Sequence, residues 1–284
     1  MYTTLINAEQ LQHLVHKHKP LMVFDCSFEL MQPLEGEQQY LRSHIAGAQR
    51  ADLDRHLSAK GANAVNGGRH PLPTREAFAA RLASLGFTSD MQAVVYDRQG
   101  ANYCGRLWWM LKWAGHEAVA VLDGGLQAWE AAGGAVETGA PASRTASAFA
   151  ASTPKAQLAT TDTVLQQLGR PSQTLIDARG TPRFRGEVEP LDPVAGHIPG
   201  ALNRPFNLNL GPDGKFKPAA ELRAEFTELL AGRDPAGVVH HCGSGVSAVP
   251  NLLAMEMAGL GRGALYAGSW SEWCSDPARP MAQG

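Results

Sequence analysis

Val238-Val-His-His-Cys242-Gly-Ser-Gly245-Val-Ser-Ala248-Val-Pro-Asn-Leu-Leu-Ala-Met255 is the stretch on which the fold turns. Its first four residues suit a strand that ends at about His241. A short turn with two glycines follows, and then an apolar run containing Leu252, Leu253, Met255 and Met257 that fits a helix. Cys242 therefore opens a tight strand-to-helix turn. Gly243 and Gly245 are expected to let the backbone curl there, because glycine tolerates positive φ. Successive amide N–H groups in such a turn converge at a helix N-terminus and cradle an anion. A thiolate is such an anion, and so is the outer sulfur of a persulfide. The setting favours a reactive cysteine over a buried structural one.

Working outward, the chain is written twice. Leu-Met-Val-Phe-Asp25 matches Gln-Thr-Leu-Ile-Asp177, each a short apolar run ending in Asp, as a buried strand entering a loop does. Ser-His44-Ile-Ala-Gly-Ala matches Gly-His197-Ile-Pro-Gly-Ala. Ala-Val-Val-Tyr-Asp97 matches Val-Val-His-His-Cys242. Asp-Gly-Gly-Leu-Gln-Ala-Trp129 matches Ala-Gly-Ser-Trp-Ser-Glu-Trp273. Four signals recur in one order at similar spacing, which is the mark of a duplicated unit. The Ala-, Ser-, Thr-, Gly- and Pro-rich stretch from Glu137 to Pro154 reads as a linker, with a boundary near residue 145. Two domains follow, 1–145 and 146–284. Arg75 to Leu85 places Phe78, Leu82 and Leu85 on one helical face and stops at Gly86. Ala219 to Leu230 does the same with Leu222, Phe226, Leu229 and Leu230. Strands alternating with helices imply an α/β fold, each domain a parallel sheet with helices on both faces. Ligands of such sheets sit at the carboxyl ends of the strands, where Asp97 and Cys242 both fall.

Composition narrows the function. Hydrophobic residues are 44% of the chain and charged residues 18%, enough apolar material for packed cores. Net charge is −2, with no basic stripe for nucleic acid. No apolar run is long enough to span a membrane, and the first residues do not resemble a secretory signal. Cys26, Cys104, Cys242 and Cys274 are scattered with no Cys-x-x-Cys pair, which disfavours zinc and redox-pair roles and fits a reducing, cytoplasmic compartment. His240 and His241 read as strand-end residues rather than metal ligands.

With these residues in hand, the sequence resembles the rhodanese superfamily over nearly its whole length, as a tandem-domain sulfurtransferase. Cys242-Gly-Ser-Gly-Val-Ser-Ala resembles the Cys-Gly-Ser-Gly-Val-Thr-Ala loop of its 3-mercaptopyruvate branch. The thiosulfate branch more often carries basic residues there. The paired His-Ile-x-Gly-Ala and Gly-Gly or Gly-Ser-Trp elements are further family marks. The resemblance implies that Cys242 carries sulfur as a persulfide, without metal or organic cofactor. It implies that Ser244, Asp54 (in Ala-Asp-Leu-Asp54) and His70 (in Arg-His70-Pro-Leu-Pro) act beside Cys242. It also implies that Arg183, in Arg183-Phe-Arg-Gly186, binds the donor with Gly243, Gly245, Val246 and Ser247. A guanidinium there would clamp a carboxylate in two bonds. The family's second arginine, in Glu-Pro-Glu-Pro-Arg, has no counterpart, since Leu191 stands at that place. The first domain, with Asp97 at the cysteine position, is expected to be catalytically silent, and its loop lacks the Gly-Ser-Gly turn, so its amide cradle is expected to be poorly formed.

The reaction this implies moves a sulfur atom from 3-mercaptopyruvate to a thiol, cyanide or a thioredoxin-like protein. Thiosulfate is the alternative donor, and a non-catalytic persulfide carrier is the second alternative. A cysteine phosphatase shares the anion cradle but needs Cys-x-x-x-x-x-Arg, and Ala248 stands where that arginine would be.

Overall fold

The computed structural model describes residues 1–284, which divide into two compact units. The first comprises Met1–Ala59, Pro73–Ala156 and Pro212–Lys215. Its elements are β1 (Leu5–Ile6), α1 (Ala8–His16), β2 (Leu21–Asp25), α2 (Glu35–Arg42), β3 (His44–Ile45), β4 (Gln49–Arg50), α3 (Arg75–Ser84), β5 (Gln92–Tyr96), α4 (Cys104–Trp113), β6 (Val119–Leu122), α5 (Gly125–Ala131) and β7 (Val136–Glu137). The main sheet runs β1-β6-β5-β2-β4, all parallel. Its central strands are buried on both faces, which is why β2 and β5 read as apolar runs rather than alternating ones. Helix α1 begins at a reciprocal cap. Asn7 Oδ1 accepts from the Gln10 amide and Gln10 Oε1 from the Asn7 amide, an arrangement that contributes about 1 kcal/mol.

The second unit comprises Lys60–Leu72, Gln157–Gly211 and Phe216–Gly284. Its elements are β8 (Leu158–Ala159), α6 (Thr161–Gln166), β9 (Thr174–Asp177), α7 (Thr181–Arg185), β10 (Leu202–Asn203), α8 (Ala219–Leu230), β11 (Val238–His241), α9 (Val249–Met257), β12 (Ala264–Tyr266) and α10 (Ser269–Trp273). Its parallel sheet runs β10-β9-β11-β12-β8. That is the first sheet's order, strand for strand, with β11 in the place of β5. Leu222, Phe226 and Leu230 of α8 are buried, each contributing roughly 1.5–3 kcal/mol by the transfer of apolar surface. His240 and His241 are both buried within β11.

The repeated motifs explain themselves as packing devices. His44 stacks on Tyr40 with ring centroids 3.8 Å apart, and His197 stacks on Phe184 at 3.9 Å. In each pair the imidazole Nδ1 lies 2.8 Å from the backbone carbonyl of its aromatic partner. Trp129 Nε1 donates to the Ala135 carbonyl and Trp273 Nε1 to that of Pro280. Each buried indole thereby closes the chain segment that follows its helix.

The division of the chain differs from a single cut at residue 145. The stretch read as a linker stays with the first unit up to Ala156. Lys60–Leu72 belongs to the second unit, although it comes from the first half of the sequence. Its own turn is closed by the Val65 amide on the Leu72 carbonyl and the Leu72 amide on Asn66 Oδ1. Composition carries no signal for such an exchange, because it is set by which surface the segment packs on.

Candidate active site

Cys242 follows β11 directly and is buried. The turn after β12 holds its backbone. The Cys242 amide donates to Ser269 Oγ (3.0 Å), and Ser269 Oγ donates to the Tyr266 carbonyl (2.9 Å). The amides of Trp270 and Ser271 donate to the carbonyls of Cys242 and Gly243. With these carbonyls engaged from α10, the amides of Gly243, Ser244, Val246, Ser247 and Ala248 donate to no backbone carbonyl. They are the N–H groups an anion cradle requires. Ser269 keeps a left-handed φ of 55°, at a cost of about 1–2 kcal/mol for a residue with a side chain. The first unit has Gly125 in the equivalent place, at φ 60°. Only a serine there adds the hydroxyl that receives the cysteine's amide.

The two loop glycines serve different ends. Gly245 has φ 73°, and a Cβ there would lie 2.3 Å from the Ala267 carbonyl oxygen, so both conformation and space demand glycine. Gly243 is not at positive φ, contrary to the expectation from sequence. What borders its side-chain position is a guanidinium, since a Cβ on Gly243 would lie 2.7 Å from Arg69 Nη2 and would displace it.

Two residues assigned from sequence meet here. His70 Nδ1 and Ser244 Oγ are 2.7 Å apart, both buried and both in the second unit. Gly68 permits this approach. Its φ is 89°, and a Cβ would come within 2.6 Å of Ser271 Oγ, whose hydroxyl accepts from the Arg69 amide. Asp54 belongs to the first unit, where it is exposed and its amide donates to Asp52 Oδ1.

Arg183, on α7, lies beside the same loop, its Nη1 and Nη2 3.5 and 3.7 Å from the position of a Gly243 Cβ. It is not a loose surface arginine. Its Nε and Nη2 both bond Glu189 (3.3 and 2.7 Å), and Nη2 also reaches Asp192 (3.2 Å). Asp192 is shared with Arg69, which bonds its other oxygen. Glu189 additionally accepts from the amides of Leu191 and Asp192. Burial would raise its carboxyl, but the Arg183 bond and these two amides outweigh burial and hold it below the usual range. Behind them Arg179 bonds Asp177 and the Gly196 carbonyl and stacks over the Trp270 ring at 4.9 Å. Burial would lower its affinity for the proton, yet Asp177, Glu189 and the nearby Cys242 keep it raised. Arg69, Arg179, Glu189, Asp192 and Ser269 were all missed from sequence. Arg69 and Ser269 stand inside the motifs around His70 and Trp273, but nothing in a linear pattern says where their side chains go.

The corresponding place in the first unit is already filled. Asp97 accepts from the amides of Gln99, Ala101, Tyr103 and Cys104 at 2.8–3.0 Å. The expectation of a poorly formed cradle is therefore corrected. Without a Gly-Ser-Gly turn the loop still converges four amides, with Gly100 and Ala101 at positive φ, and the carboxylate is their anion.

A family model described as the rhodanese-like domain matches residues 7–132 and again 160–276. The chain belongs to the rhodanese family. This rhodanese is 46% identical over 281 residues to a Pseudomonas aeruginosa protein named "Probable 3-mercaptopyruvate sulfurtransferase", covering 99% of this chain and 98% of the relative. It is 32% identical over 281 residues to the thiosulfate sulfurtransferase of Bos taurus, covering 96% and 92%. Among solved structures it matches SseA of Escherichia coli, described as a 3-mercaptopyruvate sulfotransferase, with a TM-score of 0.80 and 32% identity over 95% of this chain and all of that one. Likeness over nearly the whole chain to named sulfurtransferases makes it an enzyme of the sulfurtransferase class.

Proposed function

We propose that the chain takes sulfur from 3-mercaptopyruvate, stores it as a persulfide on Cys242 and passes it to a thiol or cyanide. The observation that carries this reading is the Ser244–His70 pair beside a cysteine loop that has no charged residue between Cys242 and Ala248. The Cys242 thiolate attacks the donor's sulfur, and the donor's C–S bond breaks. The electron pair leaves with carbon as the enolate of pyruvate, which takes up the proton that the thiol brought. Loop amides hold the resulting persulfide anion, and the Ser244–His70 pair relays the proton from sulfur towards the leaving carbon. Arg183 lies beside Gly243 to meet the donor's carboxylate. An acceptor then attacks the outer sulfur and regenerates the thiolate. A thioredoxin-like protein is one such acceptor. The first unit, its cradle filled by Asp97, takes no sulfur. A cytoplasmic setting is supported by four cysteines that are all free; no helix is long and apolar enough to cross a membrane.

The thiosulfate reading calls for cations against a compact dianion, and the name of the bovine relative keeps it as the competing donor. Steady-state kinetics with both donors separates the two. Mercaptopyruvate is expected to have the higher kcat/KM, and Cys242→Ser to lose turnover with either. Intact mass after donor treatment should show one added sulfur atom on the wild type and none on the variant. A preference for thiosulfate overturns the donor. Sulfur mapped to Cys26, Cys104 or Cys274 overturns the nucleophile, and loading without turnover makes the chain a carrier.

A further inference from the structure

We infer that Arg69 supplies the second guanidinium of the donor's carboxylate site, the role for which Leu191 has no cation; this rests on the mercaptopyruvate reading above. An arginine takes a carboxylate in two bonds most directly along its Nε–Nη2 edge. In Arg183 that edge is committed, since both nitrogens bond Glu189. Arg183 therefore offers Nη1, not the two-bond fork that the motif suggested. Arg69 is the reverse. Its Nη1 is tied to Asp192, its Nη2 is the nearest atom to the side-chain position of Gly243, and its Nε is buried with no hydrogen-bond partner. Its two-bond edge is thus unpaired within the protein, with Nε shielded from solvent and Nη2 beside the residue next to the nucleophile.

The backbone keeps it there. The Arg69 amide is bonded to Ser271 Oγ, and Gly68 allows the close approach to the Gly268 carbonyl and Ser271. Asp192 bridges the two arginines, one oxygen to each, so both guanidinium groups are oriented before a donor arrives. Three guanidinium groups (Arg69, Arg179, Arg183) face three carboxylates (Asp177, Glu189, Asp192) around the loop. The donor's charge is met by directed N–H groups in a balanced cluster, which suits a single carboxylate set back from the sulfur.

The test is Arg69→Gln and Arg69→Lys in the full chain. For mercaptopyruvate, KM is expected to rise at least about tenfold in Arg69→Gln, the range for a lost charge-assisted hydrogen bond, with kcat falling by less. Arg69→Lys, which keeps charge without the fork, should lie between. The readout that a merely structural role would leave alone is product inhibition. Pyruvate should inhibit Arg69→Gln at least about tenfold more weakly than wild type, whereas uncharged pyruvamide should inhibit both alike. Adding Leu191→Arg to Arg69→Gln should recover part of the pyruvate affinity. Unchanged pyruvate inhibition in both Arg69 variants, with wild type turning over mercaptopyruvate normally, overturns this inference alone. Equal weakening towards pyruvate and pyruvamide also overturns it, because the loss would then be structural. A wild-type enzyme without mercaptopyruvate turnover overturns the donor reading beneath it.

Discussion

Ser244 Oγ and His70 Nδ1, 174 residues apart in the chain, lie 2.7 Å from one another within the second unit. The contact exists because Lys60–Leu72 folds with the residues around Cys242. It gives the loop a hydroxyl whose proton has somewhere to go. Ser244→Ala and His70→Gln are each expected to lower kcat by about 10²-fold or more, the low end for positioned proton transfer. The double variant should lose little beyond either single one, because the two act as one relay. Strict multiplication of the two losses in steady-state kinetics would argue against a shared role.

Arg183 is held from behind by Glu189 and Asp192 and faces Gly243. Arg183→Ala is expected to lower kcat/KM for mercaptopyruvate by about one to two powers of ten, for roughly 1.5–3 kcal/mol of charge-assisted bonding. It also leaves buried Glu189 with only its longer ion pair, to Arg179 at 3.5 Å, so the melting temperature should fall as well. Glu189→Gln in the same background should recover the melting temperature but not the catalysis. Recovery of both would place the role of Arg183 in packing.

Asp97 accepts four amide bonds in the first unit. Asp97→Ala strands those donors, at a cost of about 1–3 kcal/mol for each one that water does not reach. Urea unfolding should register a loss of at least about 3 kcal/mol, and Asp97→Asn should cost less because one acceptor oxygen remains. A change within about 0.5 kcal/mol, as for an ordinary surface site, would show that the carboxylate does not hold the loop. The formed cradle also makes Asp97→Cys informative. A thiolate placed there meets ready-made amides, so sulfur loading of this variant measures whether convergent amides alone are enough. The expected result is no loading, since the first unit has Gly125 where the second has Ser269 to hold the nucleophile's amide.

His240 gives the second unit an acid limit. Burial, then the neighbouring charges of His241 and Arg204, pull it down to about 3 from 6.5. The unfolded chain therefore takes up this proton first as the pH falls. Stability is whole above about pH 6.5 and drains away between there and pH 3, by roughly 4–5 kcal/mol at most. His240→Leu, close in volume, should flatten the pH dependence of the melting temperature across that window. An unchanged slope in calorimetry would locate the acid sensitivity elsewhere.

Much of the molecule was legible in the chain itself. Apolar runs ending in Asp25, Asp177, Asp97 and Cys242 became the central strands β2, β9, β5 and β11. A parallel strand buried on both faces is mostly apolar, so its sequence announces it. Cys242 at the mouth of a Gly-Ser-Gly turn was equally plain, because a strand-to-helix turn is local and its chemistry follows from adjacent residues. The donor side of the site was not legible. Arg69, Glu189 with Asp192, and Ser269 come from three separate segments, and their roles depend on which guanidinium edge is occupied and which is unpaired. The assignment of Lys60–Leu72 to the second unit was hidden for the same reason. Periodicity records how a segment packs on its own element, whereas the choice of distant surface and the direction of a charged side chain are settled by tertiary burial.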